Sequence, residues 1–150
     1  GPTPSAAGAG SPMPVMMTGA CFDPAGTYKC VFGDPAANQS YNSATDAVVL
    51  NSSALTCSSP VWAHTAKSVT TWLTDTVESN LSPQGAGNFL FLPELLSLEP
   101  AQGPAQGFAL TLHGSGFDVA RRYYCVIGGN VVTPLRPPLD SERVVCNLPL

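Results

Sequence analysis

The chain states one motif twice, and that repetition limits its fold more than any other feature. Gly19-Ala-Cys-Phe22-Asp23 leads into Tyr28-Lys-Cys30-Val-Phe-Gly33, and Gly114-Ser-Gly-Phe117-Asp118 leads into Tyr123-Tyr-Cys125-Val-Ile-Gly128. Each copy closes on a second cysteine followed by proline, Cys57-Ser-Ser-Pro60 and Cys146-Asn-Leu-Pro149. A repeat of about 90 residues is the size of a small domain, not of a solenoid turn. It overrides the single-domain expectation that a length of 150 residues suggests.

Short runs of β-forming residues alternate with Gly/Pro-rich turns along most of the chain. Strands are expected over residues 13–18, 27–32, 47–50, 54–57, 67–78, 88–92, 94–98 and 108–113. Tyr28, Cys30 and Phe32 fall on one face of their strand, and Tyr123, Cys125 and Ile127 do the same in the second copy. Residues 33–46 read as a polar loop, and Gly128-Gly129-Asn130 as a hairpin turn. No convincing amphipathic helix is present. The pattern predicts an all-β chain of two tandem antiparallel sandwiches. The repeats are out of phase with the chain ends, so the first and last sandwich are expected to be incomplete and the protein longer. The expected division is a Pro/Gly/Ala/Ser linker over residues 1–12, repeat 1 over 13–92 and repeat 2, truncated, over 93–150.

Four of the five cysteines occupy equivalent places in the two copies. The pairing that preserves the parallel is Cys30–Cys57 and Cys125–Cys146, each contributing roughly 3–4 kcal/mol in the chain-entropy picture. Four buried free thiols, or a Cys21–Cys30 bridge, are the alternatives. Cys21 stands where the second copy has Gly116 and is left unpaired or intermolecular. No Cys-x-x-Cys occurs, so zinc-ribbon and thioredoxin readings have no support. Three Asn-x-Ser sequons, at Asn38, Asn51 and Asn80, are glycosylation candidates, with Pro83 lowering the case for the third. Cysteines and sequons together favour an oxidising, extracellular or cell-surface setting.

Only 11% of residues are charged and the net charge is -4, so no basic footprint for nucleic acid or for an anionic membrane surface exists. No apolar run is long enough for a transmembrane helix.

The ordered set Pro100, Gly103-Pro104, the alternating residues 108–112, Gly114-Ser-Gly-Phe117, Tyr123-Tyr-Cys125-Val-Ile-Gly128 and Val145-Cys146-Asn-Leu-Pro149 resembles the IPT/TIG family. Residues 19–60 match the same pattern, with Cys21 replacing the usual Gly or Asn before Phe22. The resemblance implies that the two tandem antiparallel sandwiches are immunoglobulin-like, of the E-set type. The family occurs in surface receptors, large secreted proteins, transcription factors and carbohydrate enzymes, so it transfers fold better than function.

Catalytic, cofactor and metal sites are not expected. His113-Gly-Ser-Gly116 is not a nucleophile elbow. Asp23 and Asp118 supply one carboxylate per copy, poor for calcium and suited to capping a turn. Of the two tryptophans, Trp62 sits in a loop and is a possible partner or sugar contact, with capping of the sandwich as the alternative. These readings predict a non-catalytic structural or adhesive module of an extracellular assembly, in contact with neighbouring repeats or other copies, with glycans as a further candidate partner. A carbohydrate-associated domain of a secreted enzyme is the second reading. An intracellular immunoglobulin-like scaffold or DNA-binding domain is the third.

Overall fold

In a computed structural model, residues 2–75, 87–99, 109–131 and 136–147 are described, and every regular element among them is a strand. The chain divides into two units. Unit 1 is Gly1–Val61 with Lys67–Leu92, and unit 2 is Trp62–Ala66 with Pro93–Leu150.

Unit 1 contains β1 (Pro2–Thr3), β2 (Ala6–Gly8), β3 (Pro14–Thr18), β4 (Tyr28–Gly33), β5 (Ser43–Asn51), β6 (Ala54–Ser58), β7 (Ser68–Asp75) and β8 (Gly87–Leu92). The strand order is β1-β3-β6-β5-β4-β7-β8-β2. β5 serves two neighbours in succession: Ser43 to Asp46 pair with β4, and Ala47 to Asn51 pair with β6 across a bulge. Such a strand carries the chain from one layer to the other.

The disulfide demonstrates the fold-over. Cys30 on β4 and Cys57 on β6 are two strands apart, which in a flat sheet would separate their Cα atoms by at least ~9.5 Å. They lie 6.5 Å apart and are joined. The core follows strand alternation. Val15 and Met17 on β3, Cys30 and Phe32 on β4, Leu55 and Cys57 on β6, and Phe89 and Phe91 on β8 are buried. Phe32, Phe89 and Phe91 meet edge to face, with ring centroids 5.1–6.0 Å apart.

Within the expected linker 1–12, Pro2–Thr3 and Ala6–Gly8 are built into the sheet. β1 pairs with β3 and β2 runs parallel to β8, so this segment supplies both outer edges of unit 1. Backbone bonds hold it, Leu90 N–H to Ser5 O at 2.9 Å and Ala9 N–H to Leu92 O at 2.8 Å. Ala7 and Ala9 are buried. An edge strand tolerates proline and needs little apolar mass, which is why composition hid it.

Unit 2 contains β9 (Glu94–Glu99), β10 (Ala109–Ser115), β11 (Val126–Ile127), β12 (Asn130–Val131) and β13 (Arg143–Asn147). β10 lies between β13 and β9, and β11 and β12 form a hairpin. Its turn residues Gly128 and Gly129 both have positive φ, 61° and 85°, as the expected hairpin requires. Leu110, Phe117, Cys125, Val144 and Cys146 form the core, with Leu112 and Tyr123 packed on it. The pairing of β9 on β10 mirrors that of β1 on β3. The expected turns at residues 82–87 and 100–107 lie wholly or mostly outside the described residues.

Candidate contact and cross-linking sites

The duplicated motif builds the same corner in both units. A Cβ on Gly19 would stand 2.6 Å from the Phe22 ring, and one on Gly114 would stand 2.8 Å from the Phe117 ring and collide with Glu94 O. Each phenylalanine turns its ring edge to the motif's tyrosine at 5.7 Å, Phe22 on Tyr28 and Phe117 on Tyr123. The tyrosine hydroxyl then accepts the aspartate's backbone N–H at 2.9 Å, Asp23 in unit 1 and Asp118 in unit 2. The aspartate carboxylates accept N–H from Ala25 and Ala120, each at 2.9 Å. Both carboxylates therefore cap turns.

Each unit also holds one disulfide at the equivalent place. Cys30 joins Cys57, and Cys125 joins Cys146 with Cα atoms 6.2 Å apart. Cys21 is outside both bridges and exposed. Its φ is 62°, and that of its counterpart Gly116 is 82°. Both copies thus need a left-handed residue here, which glycine adopts freely and cysteine at a cost of ~1–2 kcal/mol.

Of the sequons, Asn38 is exposed in the loop between β4 and β5. Asn51 is exposed at the end of β5, its Oδ1 accepting Ser53 N–H at 2.8 Å and Ser53 Oγ–H at 2.9 Å. Asn80 lies outside the described residues.

Trp62 is not an exposed contact. It is fully buried, its Nε1–H donates to Thr65 O at 3.0 Å, and its ring meets His64 edge to face at 5.0 Å. A large apolar ring with one satisfied polar atom gains more from burial than from solvent. The segment around it belongs to unit 2, where Ala66 N–H donates to Gly116 O at 3.0 Å and Ser141 Oγ–H to Ala63 O at 2.9 Å. Trp72 is the tryptophan that reaches the surface. Strand alternation is the signal for it, because burial of Val69 and Thr71 turns Trp72 outward.

His113 Nε2 faces Glu99 Oε2 at 3.0 Å on the exposed face of β10 and β9. Among the described residues no cluster of His, Cys, Asp or Glu is arranged to hold a metal ion. Among the described residues no helix is long and apolar enough to cross a membrane.

No curated protein matches the chain. Residues 93–150 match the family model of the IPT/TIG domain, which coincides with unit 2 apart from its 62–66 segment. Domains of this family are generally non-catalytic, immunoglobulin-like modules that mediate protein–protein contacts. Residues 93–150 are therefore an IPT/TIG domain, and unit 1 repeats its Gly-x-x-Phe-Asp…Tyr-x-Cys corner within another all-β unit.

Proposed function

We propose that the chain is a non-catalytic structural and adhesive segment of an extracellular or cell-surface assembly. Its units act as disulfide-stapled spacers and protein-contact surfaces. The observation that carries this reading is the coincidence, in both units, of one disulfide with the same turn-capped corner. Cytosolic thiol chemistry keeps such pairs reduced, whereas secreted domains rely on them. The exposed sequons Asn38 and Asn51 support the same setting. A contact role draws on β9, where Leu95, Leu96 and Leu98 are 44–56% exposed. Neighbouring repeats or further copies are the partners this surface suits. Cys21 is the one thiol outside both bridges and suits a covalent join to another chain.

The test is peptide mapping of protein from a eukaryotic secretory host, with and without reduction, together with glycan detection. Expected are the linked peptides 30/57 and 125/146, glycan mass at Asn38 or Asn51, and Cys21 either alkylatable or cross-linked between chains. Five free thiols and no glycan would overturn the extracellular reading.

A further inference from the structure

The outer face of unit 1 carries a cleft that neither the corner nor the disulfide explains. Pairing sets Trp72 on β7 opposite Val31 on β4, and Val31 opposite Ala44 on β5. A half-buried indole thus stands beside two small side chains, and a trough runs across the sheet. Loop residues 34–42 wall one side. The space measures about 520 Å³, with Gln39, Asn42 and Asp75 among its polar lining. Small-molecule sites typically occupy ~300–1,000 Å³.

The loop is held in place rather than draped. Asp34 N–H donates to Asn42 Oδ1 at 2.8 Å, and Ala36 N–H to Asp34 Oδ1 at 2.9 Å. A Cβ on Gly33 would collide with Asn42 Oδ1, so the glycine permits this approach. With its oxygen committed to the backbone, Asn42 keeps its amide N–H donors for a ligand.

The lining selects a ligand class. An indole offers a flat, electron-rich face, which suits the weakly positive C–H face of a sugar ring. Amides and a carboxylate on the rim match hydroxyls, which both donate and accept. An apolar peptide would leave the Gln39 amide and the Asn42 N–H donors unpaired, at a desolvation cost. An anion would meet Asp75, the charged group in the lining, with like sign. We propose that this trough is a saccharide-binding site, with Trp72 as the stacking platform and Asn42, Gln39 and Asp75 as hydroxyl partners for a neutral pyranose.

The sugar has two possible sources. Asn38 is a sequon residue in the same loop, next to Gln39, so a glycan attached there can fold back into the trough. Alternatively, the sugar comes from another molecule. The site itself does not rest on the extracellular reading, since unglycosylated protein tests it; the Asn38 arm alone does.

The experiment uses the full oxidised chain, isotope-labelled, from a host that does not N-glycosylate. N-acetylglucosamine, mannose, galactose, N,N′-diacetylchitobiose, maltose and cellobiose are titrated to ~20 mM, enough to register a Kd in the millimolar range. The two indole N–H signals report separately, with that of buried Trp62 as the internal control. Expected is a saturable shift of the Trp72 signal by at least one sugar while the Trp62 signal stays put. In calorimetry Trp72→Ala weakens that sugar at least ~10-fold, and Asn42→Ala and Asp75→Asn weaken it less. Trp72→Phe retains part of the binding, which separates loss of stacking from loss of fold. No shift with any of the six sugars, or equal affinity in folded Trp72→Ala protein, overturns the site. Protein from a glycosylating host then assigns the source. A trough closed to added sugar in wild type and opened by Asn38→Gln identifies the chain's own glycan, and equal binding in both identifies an outside saccharide.

Discussion

In unit 1 Tyr28 Oη accepts the Asp23 amide at 2.9 Å, and in unit 2 Tyr123 Oη accepts the Asp118 amide at the same distance. The rings beside them agree as closely, at 5.7 Å in both. The surroundings of the two disulfides do not agree. Cys30–Cys57 lies in a core closed by Phe32, Phe89 and Phe91, all at most 1% exposed. Among the described residues, Cys125–Cys146 lies in a smaller cluster, and beside it an apolar cavity of about 240 Å³ opens among Leu95, Leu98, Leu110 and Phe117. The corner repeats faithfully because its residues are close in sequence and its ring pairs, tyrosine bonds and turn caps are made within the motif. Core closure depends on β7 and β8, which are distant in sequence from the corner they cover. Local geometry is what the two units share, and long-range packing is where they part.

That contrast predicts the largest effects. Replacing a disulfide by serines, Cys30→Ser with Cys57→Ser or Cys125→Ser with Cys146→Ser, should cost roughly 3–4 kcal/mol in each unit. The consequence should be heavier for unit 2, whose remaining packing among the described residues is thinner. Hydrogen exchange in urea, read separately on β4 and β10, checks this. Unit 2 should lose protection at lower urea than unit 1 when each carries its own replacement. The reverse order would mean that the open cavity is not a weakness. Next come the corner tyrosines. Tyr28→Phe and Tyr123→Phe each remove one hydroxyl acceptor, and each should cost about 1 kcal/mol. A difference between them larger than ~0.5 kcal/mol would show that the corner is not autonomous.

The same division governs what was legible in the sequence. Strands with clear alternation, such as β10 with Leu110 in the core and Leu112 packed on it, lie where periodicity sets them. So does the Gly128-Gly129 turn, where local chemistry decides. β1 and β2 escaped because edge strands are held by backbone bonds, and Pro2, Ala6 and Gly8 carry no apolar signal. Ser43 to Asp46 read as loop because its polar side chains say nothing of the pairing with β4. Trp62 stays open in the sequence between a contact and a cap of the sandwich, since burial of a loop aromatic depends on contacts far along the chain; the structure takes the cap. The cleft at Trp72 was half legible. Alternation on β7 turns the indole outward, but the small neighbours Val31 and Ala44 become a trough only through the register.

Position 21 sharpens the comparison at a single residue. Cys21→Gly should stabilise unit 1 by ~0.5–1 kcal/mol, the left-handed strain relieved less the entropy of a freer unfolded chain. Gly116→Ala should destabilise unit 2 by about 1 kcal/mol or more, since φ there is 82°. Paired thermal melts read both signs. If Cys21→Gly destabilises instead, the thiol makes a contact that offsets its strain, and a partner for it becomes the next object of search.

The smallest effect concerns a surface pair that belongs to unit 2. Arg143 Nε and Nη2 both donate to Asp140 Oδ2, at 3.0 and 2.7 Å, and Glu142 N–H donates to Oδ1 at 2.9 Å. The Arg143 hydrogen bonds come first, and the Glu142 amide second, in holding the Asp140 carboxyl below its ordinary value. A carboxylate depressed in the folded state adds stability above its unfolded pKa, and that increment disappears as pH falls through the lower, folded value. Both side chains are well exposed, so solvent screening leaves little of it. Unit 1 has a looser surface pair, Lys29 Nζ to Asp46 Oδ1 at 3.6 Å. Asp140→Asn should therefore shift the unit 2 melt only at the edge of resolution at neutral pH and not at all once Asp140 is protonated, while Asp46→Asn leaves unit 1 unmoved. Asp140→Ala, which removes the turn cap as well as the charge, should cost more than Asp140→Asn. Asp140 Oδ1 caps the Glu142 amide just as Asp23 and Asp118 cap theirs, so Asp140→Asn and Asp140→Ser, which both retain a capping oxygen without the charge, should keep most of what Asp140→Ala loses.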